Sequence, residues 1–306
     1  MYFYYHPESS SAWSNIEKEA PVEGLVEEIE ENFFNKLISE GMVEVTDTRV
    51  ASKRKTLVFL DTETTDKKEG SNIIQLAFLK IEANNKNEIT KRSFSVSNEF
   101  YKNVEPISFD AMQIHHITEE MIADKPILSD SSAQILELNR LNDDNTILII
   151  HNAKFDTGML SPYGFTPSSG LNVVDTLRVA KHLLPESGGF SLGRLYYEHG
   201  LYKNMPAIAK RFQVDVSLLN SHDAVYDNLM LSLLYKMLLS IAKSSSEMIR
   251  LSSTPAMISK FHFGKYQGES IRGIAEVDES YLRWLLNNYE GLDDDLTYTI
   301  KHHLGE

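Results

Sequence analysis

The 306-residue chain has no cysteine, only nine prolines, and no apolar run approaching the ~20 residues needed to cross a bilayer. Without cysteine there is no disulfide framework, no thiolate metal site and no cysteine nucleophile. The opening segment, MYFYYHPESSSAW, lacks a basic stretch followed by apolar residues, so a cytoplasmic protein with no membrane partner is expected. Basic side chains are also scarce. Lys+Arg 30 against Asp+Glu 44 gives a net charge of -14, which taken alone argues against a nucleic-acid partner. The distribution weakens that objection: residues 1–50 hold 11 acidic and 3 basic side chains, whereas residues 51–240 hold 23 and 20. A few divalent cations on those carboxylates would make the middle of the chain effectively positive.

What is present suits one large domain with appendages or two domains, with enough apolar residues for a sizeable core. Residues 1–52 read as an acidic N-terminal helical unit, because Leu25, Ile29, Phe33, Phe34, Leu37 and Ile38 recur at helical spacing before Gly41. MVEVTD then alternates like a short strand. Residues 53–242 form the body. TLVFLDTET, NIIQLAFLKIEA and KRSFSVSNE read as three successive strands, the last two separated by a hairpin turn at NN and KN. Helices and strands then alternate up to the long helix in HDAVYDNLMLSLLYKMLLSIAKS. That order predicts an α/β fold with a mixed sheet. Residues 243–258, rich in serine and containing Pro255, are expected as a linker, and residues 259–306 as a small C-terminal module.

Three segments of the body share a chemical theme. Asp61 and Glu63 close the first long strand, and residues two apart on a strand project to the same face. Asp156 follows TILIIHNAKF at a helix start. His222 and Asp227 lie little more than one helical turn apart. Strand ends and helix starts of such sheets gather at one edge, where ligands bind. Four carboxylates converging there without basic partners repel one another, and their pKa values rise. Divalent cations relieve the repulsion, and all-oxygen ligation suits Mg²⁺ or Mn²⁺ rather than zinc. Asp223 and Asp175, close by in sequence, read as structural acceptors and helix caps.

LDTETT, HNAKFD and HDAVYD, with IHHITEEMI, VVDTLRVAKHLLP and SLGRLYYEHGL between them, resemble the motifs of the DEDDh branch of the DEDD exonucleases. That family includes the DNA polymerase III epsilon subunit and exonuclease X. The resemblance runs from about residue 56 to 240 and implies a ribonuclease-H-like mixed sheet flanked by helices. It implies two Mg²⁺ or Mn²⁺ ions held by Asp61, Glu63, Asp156 and Asp227, with His222 as general base. The implied reaction is release of nucleoside 5′-monophosphates from nucleic-acid 3′ ends, DNA rather than RNA, in repair or proofreading. By the same resemblance Thr64, His115 and Phe155 seat the terminal nucleotide, and a DNA polymerase is an allowed partner, although no polymerase-binding peptide is visible. Two other readings compete: an RNA-trimming exoribonuclease like ribonuclease T or oligoribonuclease, and a catalytically idle nucleic-acid-binding adaptor. The sequence departs from the family at Asp66 and His116, where glycine is usual. Finally, FHFGKYQGESIRGIAEVDESYLRWLLNN resembles a small module of exonuclease-X-like proteins. Lys265, Tyr266, Arg272 and Arg283 are its candidate phosphate contacts, and Phe261, Phe263, Tyr281 and Trp284 its expected core.

Overall fold

The computed structural model describes residues 2–5, 43–46, 56–68, 70–83, 92–217, 219, 222–261, 263–289 and 291–306. The helix expected within residues 1–52 and the hairpin turn at NN and KN lie outside the described residues. The chain divides into two compact units, residues 1–55 with 82–93, and residues 56–81 with 94–306. In the first, strands β1 (Tyr2–Tyr5) and β2 (Val43–Thr46) pair antiparallel.

The body is organised on a five-stranded sheet in the order β5-β4-β3-β6-β7. Its strands are β3 (Thr56–Thr64), β4 (Ile73–Ala83), β5 (Arg92–Phe100), β6 (Thr146–Ile150) and β7 (Asn172–Asp175). β3 runs antiparallel to β4 but parallel to β6, and β6 runs parallel to β7, so the mixed α/β sheet expected from the element order is the one observed. Side-chain alternation divides β3 between two cores. Phe59 joins Leu79, Ile147, Ile149 and Val174 on one face; Val58 and Leu60 join Phe78, Leu148 and Ile150 on the other. β6, TILII, is buried at every position, as a strand covered on both faces must be.

Between β5 and β6 lie helices α1 (Phe109–His115), α2 (Glu119–Ile122) and α3 (Ala133–Arg140). α3 and α4 (Ala153–Leu160) cover the second face. The first face carries α5 (Thr176–Leu183), α6 (Leu192–Glu198), α7 (Met205–Phe212) and α8 (Ala224–Ala242). Contrary to the expectation that no run approaches that length, α8 is long and apolar enough to cross a membrane, yet every residue from Leu229 to Tyr235 is buried within the protein. It is the core helix.

The stretch 243–258, expected as a linker, is not one. It forms α9 (Ser245–Ser252), capped by Ser244, whose hydroxyl accepts the Glu247 N–H. Met248 and Leu251, one turn apart, are buried in the same core as α8. The serines that suggested a linker are cap and surface positions of this helix. Met248→Ala is accordingly expected to cost about 2–5 kcal/mol in urea unfolding, the range for a core truncation; a loss near zero would restore the linker.

Beyond α9 come α10 (Ile271–Val277), α11 (Glu279–Asn288) and α12 (Asp294–Leu304), packed around Phe261, Ile271, Leu282, Leu285 and Ile300. Trp284, expected in that core, is half exposed and stacks on Tyr281. Asp295 of α12 is buried and fastens these helices to the body. It accepts the Lys181 ammonium and the Ala256 N–H and lies 3.5 Å from the Arg178 guanidinium.

Candidate active site

The strand register brings the acidic residues together. β6 pairs with β3 only from Thr56 to Phe59, so Asp61 and Glu63 stand beyond the carboxyl end of β6. From that end the chain turns through Asn152, in the left-handed conformation at φ 71°, and enters α4, whose first turn carries Asp156. Asp175 holds this turn: its carboxylate accepts the N–H groups of Asn152 and Ala153 and also caps α5 at Leu177. Thr62, between the two acids of β3, donates its hydroxyl to Asp156 at 2.7 Å.

The third segment is set by β4. Asp223 caps α8 by accepting from Val225 and Tyr226, and Gln75 of β4 donates to the Asp223 carboxylate at 3.3 Å while accepting from Ala224 N–H. Asn228 donates to the Ala77 carbonyl, so α8 starts at a fixed height above the sheet. His222 precedes that helix with φ 69°, and its backbone N–H donates to Asp227 Oδ1 at 3.1 Å. Its Nδ1 faces Asp227 Oδ2 at 4.0 Å. Ligand atoms of Glu63, His222 and Asp227 lie within 4.8 Å of one another.

Electrostatically the site is acidic and under strain. Burial, and after it the charges of Asp227, Glu63 and Asp156, raise the Asp61 carboxyl well above its ordinary range. Burial followed by Asp227 and Asp156 pushes Glu63 up to about 9. Asp156 and Asp227 rise to about 7, again by burial, with Thr62 and the His222 N–H pulling each partly back. No lysine or arginine pairs with any of the four among the described residues. Buried oxygens that repel one another and lack cationic partners are the donor set a hard divalent cation requires, so the residues fit the metal the sequence implies.

A pH prediction follows. A carboxylate whose pKa is higher in the fold binds more protons there than when unfolded, so its stabilising contribution is lost as pH rises through the folded value. The Tm of the metal-free protein should fall between about pH 4 and about pH 9, the span up to the raised Glu63 value, and Mn²⁺ at the upper end should restore it. A metal-free Tm that rose with pH across that window would contradict the electrostatic reading.

The remaining candidates are placed as follows. His115 is buried beside His222. Its Nδ1 accepts the Ile117 N–H; the Thr64 backbone lies close enough to the ring to raise its pKa, but no well-aligned hydrogen bond reaches Nε2 among the described residues. Burial foremost lowers its pKa, which keeps it neutral with the proton on Nε2. Thr64 is buried and spends its hydroxyl on the Asp66 carbonyl, closing the turn where the family has glycine. Phe155 packs half-buried against the second core. His116, at the other departure, adopts φ 58°, the left-handed conformation that glycine usually supplies. Thr62, Gln75 and Asn228 were not legible as site residues, since each acts through a partner distant in sequence.

A model of the family described as "Exonuclease" matches residues 58–235. The chain belongs to the exonuclease family. This exonuclease also matches an "Exodeoxyribonuclease X-like C-terminal" model over residues 261–290. "Exodeoxyribonuclease 10" of Escherichia coli K12 is 31% identical over 201 residues, 65% of this chain and 80% of that protein. "DNA polymerase III subunit epsilon" of Rickettsia conorii is 32% identical over 206 residues, 64% of this chain and 79% of the relative. Among solved structures, "Exonuclease X in complex with 5′ overhanging duplex DNA" superimposes with a TM-score of 0.44 at 23% identity, covering 64% of this chain and 99% of that one. The chain is thus a 3′–5′ exonuclease, a metal-dependent phosphodiester hydrolase with the ribonuclease-H-like sheet of its family.

Proposed function

We propose that this exonuclease releases nucleoside 5′-monophosphates from DNA 3′ ends, in repair or proofreading. The observation that carries the reading is the cluster of Asp61, Glu63, Asp156 and Asp227 at one sheet edge with His222 beside it. Bound there, Mg²⁺ or Mn²⁺, two ions in this reading, lowers the pKa of water and offsets charge on the phosphate. Thr62 orients Asp156, and the His222 N–H orients Asp227. With Nδ1 turned to Asp227, His222 Nε2 is the atom that takes a proton from the attacking water. Burial, Lys67 and His116 hold its pKa below the ordinary histidine value, so it is neutral and ready to accept. The His115 Nε2–H, which makes no well-aligned hydrogen bond among the described residues, is a donor for the terminal nucleotide, with Thr64 and Phe155 shaping its seat. DNA is favoured over RNA by the relative named exodeoxyribonuclease.

The test is a gel time course on 3′- and 5′-labelled single-stranded DNA and RNA, with Mn²⁺ or EDTA. Mononucleotides released from the 3′ label, faster on DNA and absent in EDTA, are expected. Faster loss of RNA would replace the reading with an RNA-trimming enzyme, and binding without cleavage would replace it with an adaptor.

A further inference from the structure

From α8, the helix that carries Asp227, a set of tyrosines that the reaction does not use runs outward. Tyr226 sits on the first turn of α8, next to Asp227 in sequence. Its hydroxyl lies 3.3 Å from that of Tyr196 on α6, and the two rings are 6.5 Å apart. From buried Tyr196 the contacts continue outward to Tyr197 at 5.1 Å and Tyr202 at 6.4 Å. These last two rings lie 5.7 Å apart, tilted by 38°, and are 64% and 44% exposed. The Lys203 ammonium stands 5.8 Å from the centroid of the Tyr202 ring, and among the described residues no carboxylate pairs with it. A buried member anchors the group while two others turn their rings to solvent, an arrangement that core packing alone does not call for.

The surrounding charge indicates the occupant. Residues 191–213 carry Arg194, Lys203, Lys210 and Arg211 against Glu198 alone, in a chain whose net charge is -14. Arg194 neutralises Glu198 at 2.9 Å, and among the described residues no ion pair is formed by Lys203, Lys210 or Arg211. Open aromatic faces beside the Lys203 ammonium, in a stretch of net positive charge, suit a phosphate-linked chain of bases, since every base has a face to stack and every linkage a charge. Tyr226 ties the platform to the first turn of α8, the helix that also carries Asp227.

We propose that Tyr197, Tyr202 and Lys203 form a docking platform for the single-stranded DNA that leads to the scissile 3′ end. The proposal rests on the DNA exonuclease reading above and extends it, naming where the unpaired strand lies upstream of the cut. The platform holds nucleotides beyond the terminal one, so it governs affinity for long substrates and leaves the chemical step alone.

The experiment compares wild type with the double variant Tyr197→Ala/Tyr202→Ala, with Tyr197→Phe/Tyr202→Phe, and with Lys203→Gln, each checked for folding by circular dichroism. Binding of a long 5′-labelled single-stranded oligonucleotide is read by anisotropy in EDTA. Turnover is read on the same oligonucleotide and on an aryl ester of a nucleoside 5′-monophosphate, too short to reach the platform. The alanine variant should weaken binding by about 10-fold or more and raise KM for the oligonucleotide equally, at unchanged kcat and unchanged aryl-ester rate. The phenylalanine variant should bind like wild type, because the ring faces remain. Lys203→Gln should lower the slope of log affinity against log salt by about 0.7. Unchanged oligonucleotide affinity in the alanine variant would overturn the platform, as would an equal loss on the aryl ester, which would mark a structural role. Because binding is read without turnover, a wild type that cleaved neither substrate would overturn the activity reading while the platform was still decided.

Discussion

Asp61→Asn is expected to slow cleavage by at least about 10³-fold while making the metal-free protein more stable. The first effect follows from the several kcal/mol that metal-stabilised charge contributes to phosphodiester cleavage, each 1.36 kcal/mol being about tenfold in rate. Loss of one of four carboxylates also weakens the hold on the cation. The opposite sign of the second effect is the sharper test. Asp61 is pushed up by burial and by Asp227, Glu63 and Asp156, so above neutral pH its charge opposes folding. Asparagine keeps the shape and removes the charge. A gain on the order of 1 kcal/mol, roughly 2–4 °C in Tm for a domain of this size, is expected in EDTA near pH 8. It should shrink or reverse in saturating Mn²⁺, which stabilises only the intact site. A variant that is both inactive and less stable in EDTA would mean that Asp61 is a structural acceptor.

His222→Asn is expected to cost about 10²–10⁴ in kcat, the usual contribution of a positioned base, with little change in the Mn²⁺ midpoint. The side chain is about half exposed and its ring nitrogen stands 4.0 Å from Asp227, whereas the backbone N–H makes the short bond to that carboxylate. Asparagine retains the backbone donor, so Asp227 stays in place. The pH profile separates base from ligand. In wild type, kcat/KM should rise through an acid limb placed below the ordinary histidine value, because burial, Lys67 and His116 lower the His222 pKa. The variant should lack that limb. Collapse of Mn²⁺ binding with the limb intact would make His222 a ligand.

The sheet was legible because β-strand periodicity is local: TLVFLDTET, NIIQLAFLKIEA and TILII announce themselves by run length and alternation. The four acids and His222 were legible because each sits in a short motif whose neighbours are informative, and Asp223 and Asp175 were legible as caps for the same reason. α9 was not. Its sequence, SSEMIRLS, offers Met248, Leu251 and the half-buried Ile249 to a core supplied by α8 and the sheet, and serine weakens the helical signal even where it caps one. The supporting bonds from Thr62, Gln75 and Asn228 join residues 94 to 151 positions apart, a separation no local pattern encodes. The tyrosine platform was hidden likewise, since Tyr226 belongs to a catalytic motif and its partners to a helix 30 residues earlier.

The seam at Asp295 bears on how such a chain can change over generations. A recombination event that exchanged the C-terminal helices as a bead on a string would bring in a segment with no carboxylate opposite Lys181 and Arg178, or strand Asp295 without its cations. Either product buries an unmatched charge, an error costing about 3–5 kcal/mol and so a large share of a domain's stability. A cut upstream of α9 would also strip Met248 and Leu251 from the nuclease core. Productive exchange therefore has to carry both sides of the seam at once, and drift on one side is tied to drift on the other.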